Sequence, residues 1–158
     1  KNTRPPKLGV DFFMDTPISE GNDAITAYVG FNNIYFGNDY VRFVGANSIF
    51  EGGTSLNGAG NASPAVGTGS SLFLQLGYLL PKWENSDIRL QPNASWRFAS
   101  YKALNNNINI YSVGVNTYFK GQKSKLSLAY ENRPVFSATD KKVSTRLGTF
   151  VLQYQIEL

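Results

Sequence analysis

The stretch "IRLQPNASWRF", Ile88–Phe98, decides the fold. Ile88, Leu90, Pro92, Ala94, Trp96 and Phe98 occupy one parity, and Arg89, Gln91, Asn93, Ser95 and Arg97 the other. Side chains of an extended strand point alternately to opposite faces, whereas a 3.6-residue helix would mix these two sets around its circumference. The stretch therefore reads as a strand with one apolar and one polar face.

The same period of two recurs along the chain. Leu8–Asp15 opposes Leu8, Val10, Phe12 and Met14 to Gly9, Asp11, Phe13 and Asp15. Ser71–Leu80 aligns Leu72, Leu74, Leu76, Tyr78 and Leu80, and Asn109–Phe119 aligns Tyr111, Val113, Val115, Thr117 and Phe119. Lys125–Arg133 sets Leu126, Leu128 and Tyr130 against Ser127, Ala129 and Glu131. The ending "TFVLQYQIEL", Thr149–Leu158, alternates Phe150, Leu152, Tyr154, Ile156 and Leu158 with Val151, Gln153, Gln155 and Glu157. Two strands are less regular. Ala24–Gly37 loses step near Asn32–Asn33, where a bulge is expected, and "YVRFVGANSIF" (Tyr40–Phe50) starts as a strand and dissolves into glycine-rich sequence. The count is eight strands and no helix. Pro92 removes a ladder donor, so a local irregularity is expected there.

Composition agrees with an all-β chain. Of 158 residues 14% are aromatic and only 16% charged, below the usual quarter. No apolar run approaches the roughly 18–20 residues of a spanning helix. The net charge of +4 comes from scattered Lys and Arg, which fits solubility better than a nucleic-acid stripe. Cysteine and histidine are absent, which removes thiolate sites, Ser–His and Cys–His nucleophiles and histidine zinc sites. No catalytic residue, metal site or cofactor is expected, and the opening "KNTRPPK" matches no targeting pattern.

The connections are asymmetric. On the side where the last strand ends they are short: Gly37–Asp39, Trp83–Asp87 and Gly121–Lys125. The other side carries "SATDKKVSTRLG", the Asn105–Asn107 loop and the long glycine-rich stretch "GGTSLNGAGNASPAVGTGSS", with the short "SEGND" as the exception. Short turns opposite long loops is the pattern of outer-membrane barrels, and an even strand count would put both chain ends on the short side.

Alternation alone leaves open which face is wet. The polar parity holds Arg89 to Arg97 and small residues (Gly77, Gly114, Ala129) but few Lys/Glu pairs, unlike a water-exposed sheet face. Aromatics gather near strand ends: Tyr35, Phe36, Tyr40, Tyr78, Trp83, Tyr118 and Phe119 by the short turns, and Trp96, Phe98, Tyr101 and Phe136 by the long loops. Such rings collect at headgroup depth. About ten residues rising ~3.3 Å each and tilted ~40° span roughly 25 Å, the lipid-facing height of a barrel. The expectation is an all-β, transmembrane, antiparallel up-and-down β-barrel with apolar side chains toward lipid. In lipid every backbone donor needs a partner, so Thr149–Leu158 is expected to pair on both edges.

With these residues in view, the chain resembles the C-terminal part of bacterial porins of the phosphate-selective O and P type, in the form found in Bacteroidetes-like bacteria. The resemblance rests on "LQLGYLLPK" (Leu74–Lys82), "RLQPNASW" (Arg89–Trp96), "YSVGVNTYFKGQKSKLSLAYENRP" (Tyr111–Pro134) and the terminal "LQYQIEL". It implies that residues 1–158 are the C-terminal portion of a longer, about sixteen-stranded barrel, trimeric and in the bacterial outer membrane. The partners so implied are the bilayer and the remaining strands of the same barrel, with no nucleic acid. Two features depart from the family pattern. Leu158 stands where an aromatic is usual, and no basic ladder maps onto the chain, so phosphate selectivity is not carried over.

The pore-lining set expected from parity is Arg42, Arg89, Gln91, Asn93, Ser95, Arg97, Lys125, Glu131, Arg133, Gln153 and Gln155, with Asp11, Asp15 and Glu157 beside it. These charges either set the pore potential or merely pair across strands, as their near balance of sign favours. Arg89 and Arg97 are the leading candidates. Gly58-x-Gly60 opens no helix and is not a phosphate loop, and the glycine-rich loop is either a surface loop or a pore constriction. The leading function is a general or anion-preferring diffusion pore. The alternatives are a complete eight-stranded structural or adhesive outer-membrane barrel, recognisable by pairing of its first and last strands, and a soluble lipocalin-like carrier with its apolar face inside.

Overall fold

A computed structural model describes residues 7–20, 22–44, 63–83 and 86–157. The first six residues, the centre of the glycine-rich loop with Gly58-x-Gly60, and Leu158 lie outside the described residues. The elements are β1 (Lys7–Pro17), β2 (Ala24–Ile34), β3 (Val41–Val44), β4 (Ser63–Gly67), β5 (Gly69–Leu79), β6 (Arg89–Tyr101), β7 (Ile108–Tyr118), β8 (Ser124–Phe136) and β9 (Val143–Ile156). Seven long strands form one antiparallel sheet in the order β1-β2-β5-β6-β7-β8-β9, an up-and-down meander, while β3 and β4 pair only with each other.

The strand expected from Tyr40 therefore does not cross the sheet. Its described part, Val41–Val44, pairs with β4, and β2 pairs directly with β5. This changes the parity of the connections before it. Ile18–Asp23 joins the β5–β6 and β7–β8 turns at one end, and Gly37–Asp39 moves to the opposite end with the long loops. With "SEGND" moved, the turn end carries links of five to nine residues (18–23, 80–88 and 119–123), while of the loop-end links only 35–68 is long: 102–107 and 137–142 have six residues each, and half of the expected "SATDKKVSTRLG" loop lies in β9. With seven strands crossing, β1 starts at the loop end and β9 finishes at the turn end. Tyr35, Phe36 and Tyr40 consequently lie at the loop end.

Register explains two sequence irregularities. Asn33 pairs with Leu8 and Ser70 without any shift, and its amide donates to the Ser70 hydroxyl at 2.9 Å. The loss of step at Asn32–Asn33 is thus the upper limit of the apolar band, not a bulge. Pro92 also sits in an unbroken β6–β7 ladder, opposite Val115. Leu90 directs its carbonyl to the Leu80 N–H on the β5 side, so Pro92, two residues on, turns its donorless nitrogen the same way. The β5 ladder ends there, at Gly77–Asn93. The irregularity expected at Pro92 thus falls on the β5 side, where the proline has no N–H to offer Tyr78 and the ladder breaks off, while the β7 side is undisturbed.

The sheet is open. β1 and β9 form its two edges and each is paired on one side only among the described residues, contrary to the expected two-sided pairing of Thr149–Leu158. The apolar parity forms one continuous surface: Phe12, Val29, Leu74, Trp96 and Tyr111 in one register row, and Met14, Ala27, Leu76, Ala94, Val113, Tyr130 and Phe150 in the next. Nothing covers it. Leu76 is 56% exposed, Val113 57%, Phe150 76% and Leu152 70%.

The buried residues lie elsewhere. Ala99, Tyr101, Leu104, Ile108, Ile110 and Phe136 form one cluster at the loop end, against which Val41 and Val143 pack. Ala99, Tyr101, Ile108 and Ile110 have the parity of Arg97, so this cluster sits on the polar face. Tyr101 and Phe136 therefore belong to a core and not to an interfacial girdle. A register shift between Val135 and Phe136 falls where Phe136 joins it. The loops there are tied together: the Asn105 amide donates to the Asp140 carbonyl at 2.6 Å, and the Val143 N–H to Asn106 Oδ1 at 2.9 Å.

Candidate functional site

The polar parity gathers ten of the eleven expected pore-lining residues on one face. Arg89, Gln91, Asn93, Ser95 and Arg97 lie along β6, Lys125, Glu131 and Arg133 along β8, and Gln153 and Gln155 along β9, opposite Ser127 and Lys125 respectively. Asp11 and Asp15 share this face on β1. Arg42 does not, because it belongs to the β3–β4 hairpin.

A ribbon of hydrogen bonds crosses this face from β8 to β1. Ser127 Oγ donates to Asn116 Oδ1 at 2.7 Å, and Asn116 Nδ2 donates to Gln91 Oε1 at 3.1 Å. Gln91 Nε2 donates to Thr26 Oγ1 at 3.3 Å, and Thr26 Oγ1 donates to Asp15 Oδ1 at 3.0 Å. Every donor points toward the Asp15 carboxylate, so each link polarises the next and the chain ends on a full negative charge. Tyr118 adds a second donor to Gln91 Oε1 at 2.7 Å. Gln91 reaches past β5 because Gly77 lies beneath it. A Cβ at Gly77 would stand 3.1 Å from Gln91 Nε2.

The charged residues divide into committed and available groups. The Arg89 guanidinium donates to the Leu80 carbonyl at 2.8 Å and to the Asn22 carbonyl, stitching the turn end of β6 to two neighbouring connections. Arg133, 7% exposed, lies 3.7 Å from Glu131. Arg97 stays on the open face with its guanidinium 5.6 Å from the centre of the Phe73 ring. Of the two leading arginines, Arg97 is the one whose charge is free to act on a solute.

The base of the glycine-rich loop also lies over this face. A Cβ on Gly67 would run into the Tyr101 ring, and Val41 packs on the cluster that Tyr101 belongs to. Thr68, 1% exposed, fixes this arrangement. Its N–H donates to the Tyr40 carbonyl at 2.9 Å, its carbonyl accepts from Lys102 at 2.9 Å, and its hydroxyl accepts from the Phe36 N–H at 3.0 Å. Gly69 follows with φ near +143°, and any side chain there would collide with the Ser100 carbonyl.

Aromatic side chains in the two rows that flank the middle row of the apolar face meet polar partners. Toward the loop end Trp96 Nε1 donates to Asn109 Oδ1 at 3.2 Å, and the Arg146 guanidinium lies 5.6 Å from the Tyr111 ring centre. Toward the turn end the Tyr78 hydroxyl donates to Asp23 Oδ2 at 2.8 Å. Together with Ser19, this bond holds the Asp23 carboxyl below the usual carboxylate range.

Thr26, Asn116 and Ser127 were not in the expected pore-lining set, and Tyr118, expected among the interfacial aromatics, instead lies buried on the polar face beside Arg89. Their signal was parity, legible only once the register joins them to Gln91. Among the described residues no group of acidic side chains is placed to hold a metal ion. Comparisons with protein-family models, with curated proteins and with solved structures give no match.

Proposed function

We propose that this chain forms part of the wall of a bacterial outer-membrane porin, a water-filled pore for passive diffusion of small hydrophilic solutes. The observation that carries this reading is the division of one sheet into two surfaces. The apolar side chains of seven neighbouring strands stand uncovered on one face, and a continuous hydrogen-bonded polar ribbon crosses the other. Such a surface in water would be a large aggregation site, whereas against acyl chains it is satisfied.

Strand length supports the same reading. The strands of 11 to 14 residues in the sheet, tilted ~40°, span roughly 28–36 Å, enough for the hydrocarbon layer and its edges. The unpaired edges of β1 and β9 require further strands in lipid, as a larger barrel would supply. A dry lipocalin-like centre would need Leu74, Leu90 and Leu152 packed together, yet Leu152 is 70% exposed. In this reading Arg97 biases the pore mildly toward anions, and the β3–β4 hairpin narrows its loop end.

Single cysteines test the assignment without background, since the chain has none. Ser95→Cys and Asn116→Cys in vesicles are expected to react with a membrane-impermeant maleimide. Leu76→Cys and Leu152→Cys should be protected from it and carry labels quenched by brominated lipids. The opposite labelling pattern refutes the porin reading.

A further inference from the structure

Phe13 is out of place on the polar face. It has the parity of Asp11 and Asp15, lies opposite Tyr28 in register, and is 62% exposed. Beside it the face sinks into a depression of about 230 Å³ whose lining includes Phe13, Tyr28, Gln75, Gly77, Gln91 and Asn93. Apart from the Tyr28 phenol no lining side chain is ionisable. The lining is therefore two aromatic rings and a set of neutral amides.

We propose that this depression is a subsite for a neutral sugar ring, such as a hexopyranose; the proposal rests on the porin reading and gives that pore a substrate class. A pyranose presents two kinds of surface. Its C–H face is apolar and lies flat on an aromatic ring, and its rim of hydroxyls both donates and accepts. Side-chain amides match that rim because each carries two donors and an acceptor at fixed angles. Gln75 is exposed and its amide has no partner among the described residues, and Asn93 uses only its Nδ2, in a long 3.4 Å contact to the Gln91 carbonyl. Both amides are thus available to a ligand.

Gln91 is held in place by Thr26, Asn116 and Tyr118, so one wall of the depression is preorganised. Gly77 contributes by lacking a side chain, which deepens the floor between Thr26 and Gln91. The volume lies below the ~300–1,000 Å³ of drug-sized pockets, which fits a single ring. An anion gains little here, because no arginine or lysine lines the depression and Arg89, further along β6, is committed to backbone carbonyls. A site open on one side also binds weakly, with a Kd of about 1 mM or above, as passage demands that the solute leave again.

Saturation-transfer NMR on the protein in detergent micelles, with D-glucose as the probe, tests this directly. Transfer to the sugar ring protons is expected in the wild type, with at least a fivefold loss in Phe13→Ser and in Gln75→Leu. Phe13→Tyr, which keeps the ring, should retain it, and an excess of inorganic phosphate should not displace the sugar. Absent transfer, equal transfer in all variants, or displacement by phosphate overturns the sugar assignment. Vesicle swelling reports the pore separately. Equal swelling of wild type and Gln75→Leu without any difference in transfer keeps the pore and sinks the subsite. Intact, variant-sensitive transfer without swelling by any small solute sinks the pore and leaves a sugar-binding face.

Discussion

Val113 and Ser112 are adjacent in β7 and point to opposite faces, so the same substitution at each isolates the solvent on either side. Val113 stands in the middle register row of the apolar surface, between Ala94 on β6 and Tyr130 on β8, with Tyr111 and Val115 above and below. Its side chain is more than half exposed, so little packing is lost when it is replaced. If that row lies at the bilayer midplane, Val113→Arg costs ~2–4 kcal/mol, a factor of about thirty to seven hundred in the folding equilibrium. Ser112→Arg enters the polar face and should cost no more than ~0.5 kcal/mol. Were the apolar face merely exposed to water, both substitutions would fall within about 0.5 kcal/mol of wild type. The assay is denaturant unfolding from phosphatidylcholine vesicles, followed by the fluorescence of Trp96 on the same face. Equal midpoint shifts, or a larger shift for Ser112→Arg, would refute the assignment of the two faces.

The remaining predictions concern the polar face and its ends. Arg97→Glu should move the reversal potential in planar bilayers toward cations with unchanged stability, whereas Arg89→Glu should lower the unfolding midpoint, because it sets a carboxylate against the Leu80 and Asn22 carbonyls. Asp23 has a depressed carboxyl pKa, so its contribution is complete above the ordinary value near 4 and is lost as pH falls through the lower folded value. The stability gap between wild type and Asp23→Ala, measured by unfolding at a series of pH values, should therefore be constant from pH 7 to about 5 and close below about 4. Gly69→Ala should destabilise by more than ~1 kcal/mol, since its positive φ and the Ser100 carbonyl both exclude a side chain. A wild-type midpoint for that variant would mean the entry to β5 is not as described.

Alternation in Ile88–Phe98 was enough to place Arg89, Gln91, Asn93, Ser95 and Arg97 on one face, because parity is a property of the strand alone. Pairing is not. "YVRFV" alternates as well as any long strand, yet β3 pairs with β4 and not with the strands of the main sheet. Counting it as a crossing strand reversed the end assigned to every earlier connection, and the short "SEGND" among long loops was the visible trace of that error. Reach was equally hidden. Nothing in the order of residues says that Gln91 passes over Gly77 to Thr26, or that Arg89 serves two backbone carbonyls while Arg97 stays available. Tyr101 was the more readable miss, since it shares the parity of Arg97 and so could not have stood in a girdle on the opposite face.

The distribution of buried side chains bears on how this sheet is held together. Nine apolar residues are buried among those described, and all but Tyr118 lie at the loop end, in or beside the cluster around Tyr101 and Phe136. None comes from the apolar parity of the middle rows, where Leu76, Val113 and Phe150 are more than half exposed. The central sheet thus has ladder hydrogen bonds and the Gln91 ribbon but almost no apolar burial of its own. Hydrogen bonds exchanged with water contribute only ~0.5–1.5 kcal/mol each, too little to offset the ~1–2 kcal/mol of backbone entropy lost per ordered residue. Placed in a bilayer, the same bonds compete with no water, and breaking any one would strand a donor in hydrocarbon. On the porin reading, the loop-end cluster is a clamp that orders three hairpins from one side, and a membrane would supply the cohesion of the rest. A sheet built this way should lose amide protection first in the middle rows and turn ends of its strands when lipid is removed, and keep protection of the Ala99–Ile110 amides longest.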